Sequence, residues 1–123
     1  MGENRRIHAY PKSMRIRRNA EFQYVYRRGK SYDSPLVVLV VVHNKAKSRV
    51  GFTCGKKVGN SVKRNRARRL LKESYRLLAP SIKRGCLMVF IGRSPLASAS
   101  FAQVQQQMLA LLQKSGCLKE KQG

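Results

Sequence analysis

The side chains able to do chemistry in this chain are unevenly supplied. Its acids are Glu3, Glu21, Asp33, Glu73 and Glu120, no two of them close in sequence. Protein side chains that cleave phosphodiesters need clustered carboxylates to hold metal ions, or well-placed histidines. The histidines are His8, in a basic leader, and His43, at the end of an apolar run, and both read as surface or strand-end residues. Cys54, Cys86 and Cys117 are odd in number and form no C-x-x-C pair, so they read as reduced thiols and not as a disulfide frame or a zinc site. No catalytic residue and no metal ligand is assigned. The plentiful chemistry is cationic. Lys56, Lys57, Lys63, Arg64, Arg66, Arg68, Arg69, Lys72 and Arg76 crowd one segment that holds a single acid, Glu73.

With 27 Lys and Arg against 5 Asp and Glu, the formal net charge is +22, which repels itself and calls for a polyanion. Nucleic acid is the first candidate and an anionic membrane the second. Arg outnumbers Lys, which suits bidentate phosphate contacts and stacking on bases. The chain has no apolar stretch after its basic N-terminus, and its longest apolar run, 36–42, is about a third of a membrane span. A cytoplasmic protein without a membrane partner is expected.

The basic segment has the phase of a helix and not of a loose tail. With Val62 at zero and about 100° per residue, Ala67, Leu70, Leu71, Ser74, Leu77 and Leu78 fall within one half of the circumference. Apart from Lys63, in the first turn, the charged residues take the other half. Asn60 or Ser61 can cap the start, and Ala79-Pro80 is expected to end the helix because a residue before proline is pushed out of the helical region. Unpaired N–H groups at its N-terminal end, beside Lys56, Lys57 and Gly59, form a phosphate site.

The surrounding elements follow from pattern. Residues 1–18 form a basic lead-in, partly disordered. Asn19 can cap a short helix ending at Gly29, with Phe22, Val25 and Tyr26 at i, i+3 and i+4. Residues 31–35 read as a turn. The β-branched run 36–42 reads as a strand buried on both faces, and 50–54 as a second strand joined to it antiparallel by a short link. A third strand covers 86–91. A last helix is capped by Ser98 or Ser100, carries Phe101, Val104, Met108, Leu111 and Leu112 on its apolar side, and closes at Gly116. Residues 117–123 read as a frayed basic tail. The order helix-strand-strand-helix-strand-helix, with strands apolar on both faces, gives one α/β two-layer sandwich domain over 19–116. A right-handed crossover is the general expectation.

Phe22 and Tyr26, beside Arg27, Arg28 and Lys30, suit single-stranded nucleic acid, whose bases stack on rings. The same spacing is that of a packing face, and pattern does not separate the two.

The segment 56–73, KKVGNSVKRNRARRLLKE, resembles the signature of the protein subunit of bacterial ribonuclease P, with Arg64-Asn65-Arg66 as its core. Tyr10-Pro11-Lys12, Glu21-Phe22, Arg49-Val50-Gly51-Phe52 and the late apolar strand follow in the family's order. The resemblance implies a ribosomal protein S5 domain 2-like fold with a left-handed βαβ crossover. It implies ribonuclease P RNA and precursor tRNA as partners, one protein per RNA. The RNA would carry the endonucleolytic chemistry with Mg²⁺, freeing the mature 5′ end of tRNA, and the protein would hold no cofactor firmly. Lys56, Lys57, Asn60, Arg64, Asn65, Arg66, Arg68, Arg69 and Lys72 would contact the catalytic RNA. The single-stranded 5′ leader would lie between the first helix and the sheet, on Phe22, Tyr26 and Arg27. Some members carry an aromatic in the first strand; here Val40 is expected at that place. The competing expectation from composition is a ribosomal or RNA-chaperone protein with no enzymatic context. A self-sufficient metal nuclease is disfavoured by the lack of paired acids.

Overall fold

A strand whose both faces are apolar needs cover on both sides, and the computed structural model, which describes residues 14–43 and 45–119, supplies it. The elements run α1 (Asn19–Arg28), β1 (Lys30–Asp33), β2 (Val37–Val42), β3 (Arg49–Cys54), α2 (Ser61–Leu78), β4 (Leu87–Gly92) and α3 (Phe101–Ser115), with short 3₁₀ turns at Lys56–Val58, Ala79–Ser81 and Ser94–Ser98. The strands form one sheet in the order β1-β2-β4-β3. β1 and β4 both pair with β2 antiparallel, and β3 pairs with β4 parallel.

Three expectations are corrected. Residues 31–33, read as turn, belong to the edge strand β1, whose polar residues hid it from a search for apolar alternation. The 36–42 and 49–54 strands are not a hairpin, because β4 lies between them and hydrogen-bonds to both. Ala79 stays helical (φ −53, ψ −39) although Pro80 follows, and the chain leaves through a 3₁₀ turn.

The pleat sorts the side chains into two layers. Val37, Leu39, Val41, Val50, Met88 and Phe90 face α2 and α3 in the larger core. There Phe52 stacks on Phe90 at 6.0 Å between centroids, and Tyr75 of α2 meets both rings edge-on at 5.5 and 5.8 Å. Val40, Leu87 and Val89 face the other way, under Val25 of α1 and Ile16.

Helix α2 is rotated from its expected seat. Ala67, Leu71, Ser74, Tyr75 and Leu78 are its buried residues, while Val62 and Leu77, on one flank of the expected apolar arc, are 76% and 52% exposed. At about 100° per residue the buried arc is turned by about 70° towards Tyr75, whose ring packs on Phe52 and Phe90. The capping of α1 also differs. Arg18 holds the N-cap position without a side-chain bond, and Asn19 is the first helical residue. For α3, Ser100 and Gln103 form a capping box and Gly116 closes the helix in the left-handed region (φ 75). Phe101, expected in its apolar face, is 37% exposed. Cys117 and Leu118 are not frayed: Cys117 is buried and Leu118 bridges Ile82. The rest of the tail, and the lead-in before Met14, lie outside the described residues.

Gly51 sets how closely α1 approaches the sheet. A Cβ there would stand 2.7 Å from Cε1 of Phe22 and 3.2 Å from Cβ of Ile16. Gly51→Ala should therefore destabilise the domain by about 1–3 kcal/mol, read as a lowered urea midpoint; an unchanged midpoint would show that α1 can lift at no cost.

Candidate nucleic-acid interface

The order of the sheet brings two surfaces to one edge. The first is a groove beside α1. Around α1, Val25 points into the core, with Tyr24 on one flank and Phe22 and Tyr26 on the other. Tyr24 lies towards the loop after β2, where its hydroxyl accepts a bond from Lys45 Nζ at 2.9 Å. Phe22 and Tyr26 lie towards the other end of the sheet, their centroids 6.3 Å apart. On that end the pairings Val38↔Ile91 and Thr53↔Ile91 set three half-exposed side chains in a row across β2, β4 and β3. Tyr26 is 38% exposed and Phe22 is half-buried, so the two rings form a wall and the row a floor.

Val40 is not part of that floor. It is 4% exposed, packed beneath the C-terminal end of α1, where a Cβ on Gly29 would come within 2.7 Å of its Cγ1. The half-exposed position of β2 on the same face is Val38, two residues earlier. Arg27 is exposed in the last turn of α1, on the helix's outward side.

The second surface is the cationic side of α2. Asn60 caps the helix, its Oδ1 accepting from Lys63 N at 3.0 Å. Gly59 has φ 136, a conformation closed to other residues, and turns the chain from the 3₁₀ turn carrying exposed Lys56 and Lys57 into the helix. Arg64 and Arg68 lie next to the buried arc and reach the β3 edge: both act on the Cys54 thiol, which burial nonetheless pushes up. Lys72, one turn further, has its ammonium held below the usual range, first by burial and then by repulsion from Arg15 and Arg68. Arg15 is there because the lead-in bridges β3 in parallel, with Ile16 N donating to Val50 O at 2.8 Å. Arg64, Arg68, Lys72 and Arg15 thus form a row of cations at one edge, and a bound phosphate chain would relieve their mutual repulsion.

Other predicted residues are placed differently. Arg66 points to the opposite flank, where its Nε donates to Ala97 O at 2.9 Å and ties α2 to the 94–98 turn. Arg69 lines a shallow hollow with Arg66, Leu70, Glu73 and Phe101. Exposed Asn65 accepts from Arg68 Nη2 and so orients that guanidinium. Glu21 is taken up by Arg49, whose Nε lies 2.8 Å from Oε2. Val38, Thr53 and Ile91 are missed by sequence reasoning, which places Arg15 only within the basic lead-in. Alternation along β2 and β4 carries the signal for Val38 and Ile91, but the strand register is needed to align them.

A small, strongly basic α/β domain with a cationic helix and a ring-walled groove on the same edge is an RNA-binding module by construction. The family model for ribonuclease P matches residues 10–116, and the chain belongs to the ribonuclease P protein family. It is 45% identical over 107 residues to the ribonuclease P protein component of Clostridium botulinum (strain Langeland), covering 85% of this chain and 96% of that one. To the same component of Clostridium novyi it is 44% identical over 108 residues, with coverage of 85% and 96%. Among solved structures it resembles the ribonuclease P protein of Staphylococcus aureus (TM-score 0.77, 28% identity, 93% of this chain and 98% of that one). It also resembles the one from Thermotoga maritima (TM-score 0.72, 28% identity, 81% and 96%).

Proposed function

We propose that this chain is the accessory subunit of a ribonuclease P holoenzyme in the cytoplasm, one protein per RNA, in which the RNA performs the cleavage with Mg²⁺. Membership of the family carries the processing of tRNA 5′ ends. The observation that carries the division of labour is the junction at β3. The groove floor ends at Thr53, and the cation row of Arg64, Arg68, Lys72 and Arg15 begins at the same strand. A single strand lying in the groove on Phe22 and Tyr26 is thereby delivered beside the RNA held by α2. The protein's part is placement and charge neutralisation, which lowers the entropic cost of bringing substrate and RNA enzyme together. Among the described residues the acids are Glu21, Asp33 and Glu73. Glu21 and Glu73 are paired with Arg49 and Arg76, and no two acids converge on one site.

Precursor-tRNA cleavage at low Mg²⁺ tests this with purified protein, cognate RNA, and both. Activity is expected only with the RNA present and raised by the protein; cleavage by the protein alone would overturn the reading, and no effect of the protein would favour a general RNA chaperone. If six to ten phosphates are neutralised, affinity for the RNA should fall by about three to five decades between low and moderate salt. A flat salt response would sink the electrostatic basis of the interface.

A further inference from the structure

The register of the sheet assembles a second group of reactive side chains at the opposite end of β4 from Arg64. β2 and β4 pair antiparallel up to Val42↔Leu87, so His43 and Cys86 stand opposite each other one step beyond the ladder. Both share the face of Val41 and Met88, which is turned towards α3. At that point α3 ends, Gly116 reverses the chain, and Cys117 N is held by Leu112 O at 3.0 Å. His43 Nδ1, Cys86 Sγ and Cys117 Sγ consequently lie within 4.8 Å of one another.

We infer that His43, Cys86 and Cys117 form a binding site for a thiophilic transition-metal ion of the zinc class, with a fourth position open to water. The donor set, one imidazole and two thiols, is that of tetrahedral zinc sites. Bond lengths of about 2.3 Å to sulfur and about 2.0 Å to nitrogen give tetrahedral edges of about 3.5–3.8 Å between ligand atoms. The Cys86 Sγ to His43 Nδ1 distance is 3.8 Å, so closing on a metal asks for shifts of a few tenths of an ångström along that edge. Supporting bonds hold the ligands from behind, as such sites require. Ser115 Oγ, itself buried, lies 3.1 Å from Cys117 Sγ. Cys117 O accepts from Lys83 N at 2.8 Å, which fixes the chain carrying the thiol against the segment leading to Cys86. Both cysteines are fully buried, and His43 is the half-exposed member through which an ion enters.

The ligands come from three separate places in the chain, which is why no spacing motif announces them. Their location also separates this site from the Arg64 end of the cationic row. Cys86 precedes β4, whereas Gly92 at its far end pairs with Cys54, beside the start of α2. Six strand residues put about 17–20 Å between the two. Metal there would pin the C-terminal end of α3 to the sheet and add to the domain's stability without touching the cationic row.

The reduced full chain titrated with Zn²⁺, and separately with Co²⁺ as a spectroscopic probe, tests the site. One equivalent is expected to bind, with sulfur-to-cobalt charge-transfer absorption and the intense visible bands of a tetrahedral centre. At a hundredfold excess over its dissociation constant, Zn²⁺ should raise Tm by on the order of 10 °C. Cys117→Ser and His43→Gln should each weaken binding at least tenfold. Cys54→Ser, at the other end of the sheet, should leave binding unchanged. His43→Gln, on a half-exposed position, keeps the test decisive if Cys117→Ser folds poorly. Absence of stoichiometric binding, or equal affinity in His43→Gln, would overturn the assignment.

Discussion

Replacing Arg64 and Arg68 together by alanine should lower affinity for ribonuclease P RNA by about 10- to 100-fold at low salt and reduce the log–log salt slope by about two. The pair is chosen from the structure. Arg64 and Arg68 sit one turn apart on the flank of α2 that reaches β3, and neither is committed to an acid. Arg66 is a poorer probe although it belongs to the Arg64-Asn65-Arg66 core, because its bond to Ala97 O also ties α2 to the 94–98 turn. The paired variant should keep a Tm within a few degrees of the parent, since neither guanidinium lies in the core. Unchanged affinity and slope, measured on folded protein, would move the RNA contact elsewhere.

Tyr26→Ala should weaken binding of precursor tRNA carrying a 5′ leader by about 5- to 150-fold, the worth of one base stacked on one ring. Leaderless tRNA should bind as before. Tyr26 is the better ring to remove because it is 38% exposed and belongs to neither buried core. Phe22 fills the space above Gly51 and packs against the cluster of Ile16 and Val25, so Phe22→Ala mixes loss of binding with loss of packing. Deleting a fully buried phenylalanine costs about 3–5 kcal/mol, and a half-buried one some fraction of that. Equal loss for both substrates in Tyr26→Ala would make the ring part of the core and nothing more.

Much of this was legible in the sequence because helical phase and end signals are local. The amphipathic basic helix and the Gly29 and Gly116 stops are where local chemistry puts them, and of the paired cap candidates Asn60/Ser61 and Ser98/Ser100 the chain uses Asn60 and Ser100. A few local readings failed too, the Asn19 cap and the stop before Pro80 among them, but most of what failed was non-local. Nothing in residues 36–54 tells β3 to wait for β4, so the two early strands were paired with each other. The rotation of α2 depends on Tyr75 finding Phe52 and Phe90, residues from two strands. Val40 and Val38 are indistinguishable as types; only the close approach of Gly29, at the C-terminal end of α1, buries one and leaves the other half-open. The convergence of His43, Cys86 and Cys117 is the same kind of fact, set by register and by a helix end.

The late insertion of β4 between β2 and β3 bears on how the chain acquires this structure. As the polypeptide is made, β1 and β2 can form a hairpin, and the residues of α2 can coil, but β3 has only the short lead-in bridge at Arg15 until β4 arrives. The cationic helix is therefore finished in sequence before it has a sheet to lie on. The decisive pairings are long-range, so folding should be cooperative and slow for so small a domain. During that interval a segment rich in arginine is unsupported and self-repelling, and any RNA nearby would favour its compaction.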